Sequence, residues 1–403
     1  MKKSIILEVG IVRIFVVLLQ LLFLKAYSNH STLYELGLYY FLFTLSYSLN
    51  AFVLVPLDYF QQSQIYKLKE NGYSLKSFYA VNIWVLKLTG IILFLAVSIG
   101  YFINPNYSLV ALIIIVLALS TYLVNFLRGL INNLERRRMA IYSLLLENGL
   151  KVGLYFICIH YFTSSSTIIL ISVLSASILS FCLLIFLVTG FEEFKRAKIQ
   201  IFKPSDIFKF SYPISLGAVV NWIQLQGYRM ILVPFGLVEI VGVYATVSNV
   251  GTNGMNAFST IYSQLFVPNL YKSQGKYLKT YLIYALLSIV GILAISYFLS
   301  DFIVLILTKN DFVKYSTLIL YGIIAEAGNF LIGALLIYLT IHNLTSASLK
   351  STITGLIVFL ITFFGLYYSG HINVFTIGIP IVVTQIVITM YLVYIIHTEK
   401  AKS

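Results

Sequence analysis

Residues 108–131 read SLVALIIIVLALSTYLVNFLRGLI. The run holds one charge, Arg128, in 24 residues. About 20 apolar residues in helix cross the roughly 30 Å hydrocarbon core of a bilayer. The chain then turns through NNLERRRM, which puts Arg136, Arg137 and Arg138 at one end of the run. A membrane span closed by a basic turn is the pattern from which the rest of the chain is read.

The pattern recurs through all 403 residues, of which 60% are hydrophobic and 10% charged, with mean hydropathy +0.93. A soluble domain is near 45–50% apolar and about 25% charged. Too few charges remain to coat a water-facing surface. This excludes a soluble enzyme, a disordered chain and a disulfide scaffold. Cys158 and Cys182 both lie in apolar runs and read as small hydrophobes. MKK and the apolar run to Leu24 read as a first span, with no small-residue cleavage site. Twelve spans are expected, at 5–27, 34–56, 78–102, 108–131, 140–161, 168–189, 208–233, 241–266, 281–300, 315–340, 351–369 and 376–397. The predicted fold class is all-α: a polytopic membrane protein of twelve helices in two six-helix bundles around a central cavity.

The net charge of +13 is set by where the cations fall. The tails and alternate connections, among them 57–77, 132–139 and 190–209, carry 19 Lys or Arg. The other set carries two, Lys309 and Lys314. Basic connections stay cytoplasmic. Both termini are therefore expected in the cytoplasm of a multi-pass inner-membrane protein, with membrane lipids rather than nucleic acid as the partners of the charge. The connections are too short to hold a domain, so any chemistry must sit within the bundle or at its mouths.

The chain repeats at half its length. Glu35-Leu-Gly37-Leu-Tyr39 opens the second span and Glu239-Ile-Val-Gly242-Val-Tyr244 the eighth. Asn50-Ala51-Phe52 and Val55-Pro56 are matched by Asn256-Ala257-Phe258 and Val267-Pro268. Six spans per half make this a parallel repeat, a common transporter plan. The expected domains are 1–205, with the basic linker, and 206–403.

Charges within spans are costly and mark polar interiors. Lys25 and Arg128 lie near span ends and can snorkel. Arg13, Lys87 and Lys151 lie deeper, with Arg229 on the seventh span. Glu147 and Lys151 are spaced to pair at i, i+4, which leaves open whether Lys151 is structural. Polar stripes run along several spans: Arg13 with Gln20; Asn125 with Arg128; Asn221 and Gln224; Asn249, Asn253 and Asn256. Such residues are often glue between helices, but six striped spans together predict a wet lumen. Its cations outnumber Glu147 and Glu326, which suits a phosphate or diphosphate group. Glu326 is an isolated carboxylate in its span, either a structural hydrogen bonder or an ion-coupling group, with Glu147 as the other coupling candidate. No metal site, cofactor or catalytic residue is expected: the histidines form no i, i+3 or i, i+4 pair, and no phosphate-binding glycine loop occurs.

Residues 208–275 resemble the seventh and eighth helices of Wzx-type polysaccharide repeat-unit flippases, within the multidrug/oligosaccharidyl-lipid/polysaccharide (MOP) exporter superfamily. The shared elements are Phe210-Ser211-Tyr212-Pro213, Trp222, Tyr228-Arg229 and Gly242-x-Tyr244. Where that family often has Asp before the arginine, this chain has Tyr228. Asp58-Tyr59-Phe60-Gln61-Gln62, after the second span, is not part of the family pattern. The resemblance implies alternating access that moves an undecaprenyl-diphosphate-linked oligosaccharide outward, drive by ion gradients, and no enzymatic step. It also implies a polysaccharide polymerase and chain-length proteins as partners in O-antigen or related lipopolysaccharide biosynthesis. It matches Arg13 and Arg229 to cavity cations, while Lys87 and Lys151 rest on physics alone. Two other readings stay open: a membrane polymerase or glycosyltransferase, which would need larger external loops, and a multidrug exporter of the same superfamily, which would carry more acidic cavity residues.

Overall fold

A computed structural model describes residues 3–342 and 344–402, with side chains described except at 3–7, 106, 345, 346 and 399–402. Twelve long helices follow in order among the described residues. They are α1 Lys3–His30, α2 Leu33–Glu70, α3 Ser77–Ile103, α4 Pro105–Asn133, α5 Arg137–Tyr161, α6 Ser166–Thr189, α7 Pro204–Leu232, α8 Val238–Lys272, α9 Leu278–Phe298, α10 Ile319–Ile341, α11 Thr345–Tyr368 and α12 Ile379–Lys402. Ten are long and apolar enough to cross a membrane; α7 and α8 are too polar to qualify. Ser211, Asn221, Gln224 and Gln226 on α7, and the asparagines of α8, account for that.

α2 and α8 outrun their expected spans by the most. α2 was expected to end at 56 but continues through 38 residues to Glu70. At 1.5 Å per residue it is about 57 Å long, so it must leave the hydrocarbon. A single π-helical turn, Asn50–Leu54, sits within it. That turn shifts the hydrogen-bond ladder just ahead of Pro56, which has no N–H to give. The Asn50 side chain donates to the Ala118 carbonyl at 3.1 Å. α8 likewise runs beyond 241–266 at both ends.

The chain divides into two compact units. Unit 1 comprises residues 1–19 and 41–219, unit 2 residues 20–40 and 220–403. This differs from the expected cut at 205/206, because α1, α2 and α7 each change unit part-way along. The linker does not mark the boundary because it is tied to unit 1. Ser74 N–H donates to the Lys198 carbonyl at 2.6 Å, and Leu75 N–H to that of Glu193 at 3.1 Å. The Arg136 guanidinium lies 3.5 Å over the Phe191 ring.

Within unit 2 the repeated glycines meet. A Cβ on Gly37 would strike the Val238 carbonyl oxygen, and one on Gly242 the Leu33 carbonyl oxygen. Each glycine faces the residue four before the other. This reciprocity is what a local two-fold axis between the two copies of the motif produces. A second crossing joins α8 to α10: Gly251 faces the Ile319 carbonyl, and Gly322 that of Ser248. Small residues let helix backbones approach closely where lipid supplies no hydrophobic drive.

Candidate functional site

In unit 1, α5 presents Ser143, Glu147, Lys151 and Tyr155 at four-residue steps along one face. Glu147 is buried and shares its two oxygens between two cations. Lys151 Nζ lies 2.6 Å from Oε1 and Arg128 Nη2 2.5 Å from Oε2. Arg128 also donates from Nε to Ser143 Oγ and from Nη2 to the Ser143 carbonyl, both at 3.1 Å. The expected i, i+4 pair is present, but it is a triad. The expectation that Arg128 snorkels is corrected: its charge turns inward because a buried carboxylate awaits it. Two cations against one acid leave the cluster at net +1. Both oxygens of Glu147 are occupied, so it has no free face for a coupling ion.

α1 runs beside α5. Glu8 pairs with Arg138 at 2.6 Å and accepts from the Tyr142 hydroxyl at 3.1 Å. Leu19 packs 4.0 Å from where a Cβ of Gly149 would lie. Glu8 and Leu19 share the face of α1 that meets α5, and Arg13, five residues from one and six from the other, lies on a different face of that helix. Its Nε is buried with no hydrogen-bond partner. Lys87 is exposed, on the flank of α3 opposite the buried Val81, Val85 and Thr89. It forms no ion pair among the described residues. Asn125 is exposed on α4, one turn before Arg128.

In unit 2, Arg229 is 8% exposed and sits in a tyrosine cage. Its Nε donates to the Tyr228 hydroxyl at 2.9 Å. Its guanidinium lies 5.2 Å from the Tyr40 ring centre and 5.4 Å from that of Tyr228, within cation–π range. The Tyr40 and Tyr27 hydroxyls are 2.8 Å apart, and Tyr228 packs edge-on to Tyr244 at 5.3 Å. The reciprocal glycines build this cage. Gly37 is two and three residues before Tyr39 and Tyr40, and Gly242 two before Tyr244, so the close crossing brings the rings together.

The remaining polar positions divide by environment. Gln224 is buried and donates to the Thr352 carbonyl at 2.8 Å, tying α7 to α11 rather than lining an open space. Asn221 and Asn256 are exposed, and Gln20, Asn249 and Asn253 half-buried. Asn256 Oδ1 accepts from Thr260 at 3.2 Å. Glu326 opens on a cavity of about 430 Å³ between α8, α9 and α10. Ser259, Thr260, Ser263, Gln264 and Asn329 supply neutral polar groups to its wall, and Glu326 is the only charged lining residue. Asn329 Nδ2 donates to Glu326 Oε2 at 3.5 Å, and Gln385 Nε2 to Asn329 Oδ1 at 3.2 Å. Among the described residues no three His, Cys, Asp or Glu side chains gather as a metal site.

Two arrangements escaped sequence reading. One is the tyrosine cage, whose signal was the repeated Gly-x-Tyr. The other is a buried network at the lower end of α2, around Asp58 and Gln61, in a segment read as a connection.

These two units can be compared with known proteins. No protein-family model matches the chain, and no curated protein matches it. Solved structures do. The inward closed conformation of the lipid II flippase MurJ aligns over 98% of this chain and 87% of its own, with TM-score 0.72 and 16% identity. The chain shares its fold with this flippase and with solved transporters of the MOP superfamily. A multidrug resistance MATE family transporter of that superfamily aligns in its inward-facing conformation at TM-score 0.67 and 12% identity, and in an outward-facing one at 0.64 and 16%. Both MATE alignments cover 96% of the other chain. The alignments cover 98–99% of this chain, α7 and α8 included.

Proposed function

We propose that the chain is a flippase that moves a lipid-linked oligosaccharide bearing a diphosphate across the cytoplasmic membrane by alternating access. One observation carries this reading. Arg13 holds a cation within a membrane helix, with a buried Nε that no protein group satisfies. A buried donor without a partner costs about 1–3 kcal/mol, more when charged, so the position favours an anionic ligand that supplies the acceptor. Within unit 1 the Arg128–Glu147–Lys151 triad is itself at net +1, and in unit 2 Arg229 is a buried cation. A guanidinium offers a planar fork to phosphate oxygens. The flippase reading also agrees with the fold shared with MurJ, whose substrate is lipid-linked. A multidrug exporter is disfavoured by Arg13 and Arg229, whose charges repel cationic drugs.

Glu326 is the proposed coupling group. It stands alone in a polar-walled cavity, where a proton or cation can reach it. The proposed anion contacts are Arg13 and, through the triad, Lys151 in unit 1, and separately Arg229 in unit 2; Lys87, being exposed, is the weakest member. A polymerase and chain-length proteins would be partners of this activity, and both termini would be cytoplasmic.

The test is reconstitution. Liposomes containing the chain should translocate a prenyl-diphosphate oligosaccharide faster than protein-free liposomes, with the rate raised by an imposed ion gradient. Glu326→Gln should translocate without responding to a pH gradient. A wild-type rate equal to that of empty liposomes would defeat the reading.

A further inference from the structure

Asp58 lies in unit 1, one turn beyond the π-helical segment of α2. It is 7% exposed. Its Oδ2 accepts from Gln62 Nε2 at 2.8 Å, but its Oδ1 is buried with no partner. No ion pair reaches it among the described residues. The charged side chains on neighbouring elements point elsewhere. Lys67, Lys69, Lys76, Lys87 and Lys209 are exposed. Arg128, although close in sequence to Gly129 beneath Gln62, is committed to Ser143 and Glu147.

The surroundings are built rather than loose. The Gln62 amide occupies the space a Cβ on Gly129 would take, so Gly129 is its seat. One residue back, Gln61 is fully buried and donates to the Tyr122 hydroxyl at 2.6 Å. Tyr122 in turn donates to Asn82 Oδ1 at 2.8 Å. This network of neutral groups links α2, α3 and α4. Leu54, Leu57, Phe60, Val81 and Val85 pack as one core cluster beside it. A bare carboxylate left unpaired in such a place carries a desolvation penalty of several kcal/mol. Binding a positive ion at Oδ1 removes it. π-helical turns occur frequently at functional sites, and here one precedes the carboxylate.

We propose that Asp58 is a binding site for a small monovalent cation, a proton or an alkali ion, in unit 1 and additional to Glu326 in unit 2. The binding itself is independent of the flippase reading; only its use in coupling rests on that reading. Glu147, with both oxygens held by protein cations, cannot serve, so Asp58 takes the role in unit 1.

The test uses the purified full-length chain in detergent, without any lipid-linked substrate. Glu326→Gln removes the other isolated carboxylate and serves as the background. Its melting temperature is compared with that of Glu326→Gln/Asp58→Asn in two arms. One arm lowers the pH from 8 to 6 at fixed salt; the other replaces choline chloride by sodium chloride at pH 8. The single variant should gain roughly 2 °C or more in one arm, and the double variant should lose that gain. A gain in the acid arm identifies a proton, and a gain in the sodium arm an alkali ion. No gain in either arm, or an equal gain in both variants, overturns the proposal. Should the double variant not fold, a hydrophobic carbodiimide on wild type decides, read by mass spectrometry. Adduct on Asp58 should fall as pH or sodium rises. A yield indifferent to both overturns the site. Neither readout involves transport, so a failed flippase reading would leave it standing.

Discussion

At the residue scale, the energetics of this chain turn on how its buried charges are satisfied. Glu147 neutralises two cations at once, so removing it leaves two facing each other. Glu147→Gln should cost about 3–5 kcal/mol, as breaking a buried pair does, read as a large fall in melting temperature. Adding Lys151→Met should recover only part of the loss, since Arg128 remains unpaired. Full recovery by the double variant would show that Arg128 does not belong to the cluster. Arg229→Lys keeps the charge but loses the planar fork and the stacking on tyrosine. It should keep expression and cut transport about tenfold, the equivalent of 1.4 kcal/mol. Unchanged transport would remove the cage from the site. Charged positions were easy to find in sequence, because ten charges in a hundred residues make each conspicuous. Their partners were not. The Glu147–Lys151 pair followed from helical spacing, whereas Arg128 reaches Glu147 across two helices and no local pattern records that.

At the element scale, two glycine crossings set the geometry of unit 2. Gly37→Ala or Gly242→Ala puts a methyl group against a backbone carbonyl that cannot move without its helix. Each should cost about 1–3 kcal/mol, as overpacking does. The double variant should cost less than the sum, because the first separation of the helices makes room for the second methyl. Thermal melts of the three variants measure this; strict additivity would show that the glycines do not share one contact. The repeat at 35–39 and 239–244 was legible as sequence. That its glycines touch, and that the touching assembles Tyr40, Tyr228, Tyr244 and Arg229, was not, since it depends on packing between segments about 200 residues apart. The end of α2 was misplaced for a related reason. Asp58, Gln61, Gln62, Lys67 and Lys69 look like a connection when judged by hydropathy. Packing of Leu57, Phe60, Ile65 and Leu68 into the core keeps them helical.

At the scale of the whole molecule, apolar length and basic turns were enough to read twelve helices. The alignments with solved transporters run through α7 and α8 as well, polar as these two helices are. The linker was taken for a boundary because it is short, basic and rich in breaks; backbone hydrogen bonds to Ser74 and Leu75 fix it to unit 1 instead. The orientation set by the 19-to-2 division of cations predicts that a cysteine placed at His371 in a cysteine-free background is labelled by an impermeant reagent from outside, and one at Arg137 only after permeabilisation. The reverse pattern would invert the direction of transport. The central claim, that buried cations receive a diphosphate, is tested most directly by measuring translocation of a prenyl-diphosphate oligosaccharide in liposomes by Arg13→Gln beside wild type. A charge-assisted hydrogen bond contributes about 1.5–3 kcal/mol. The account predicts a rate at least tenfold lower with an unchanged melting temperature; a rate equal to wild type would contradict it.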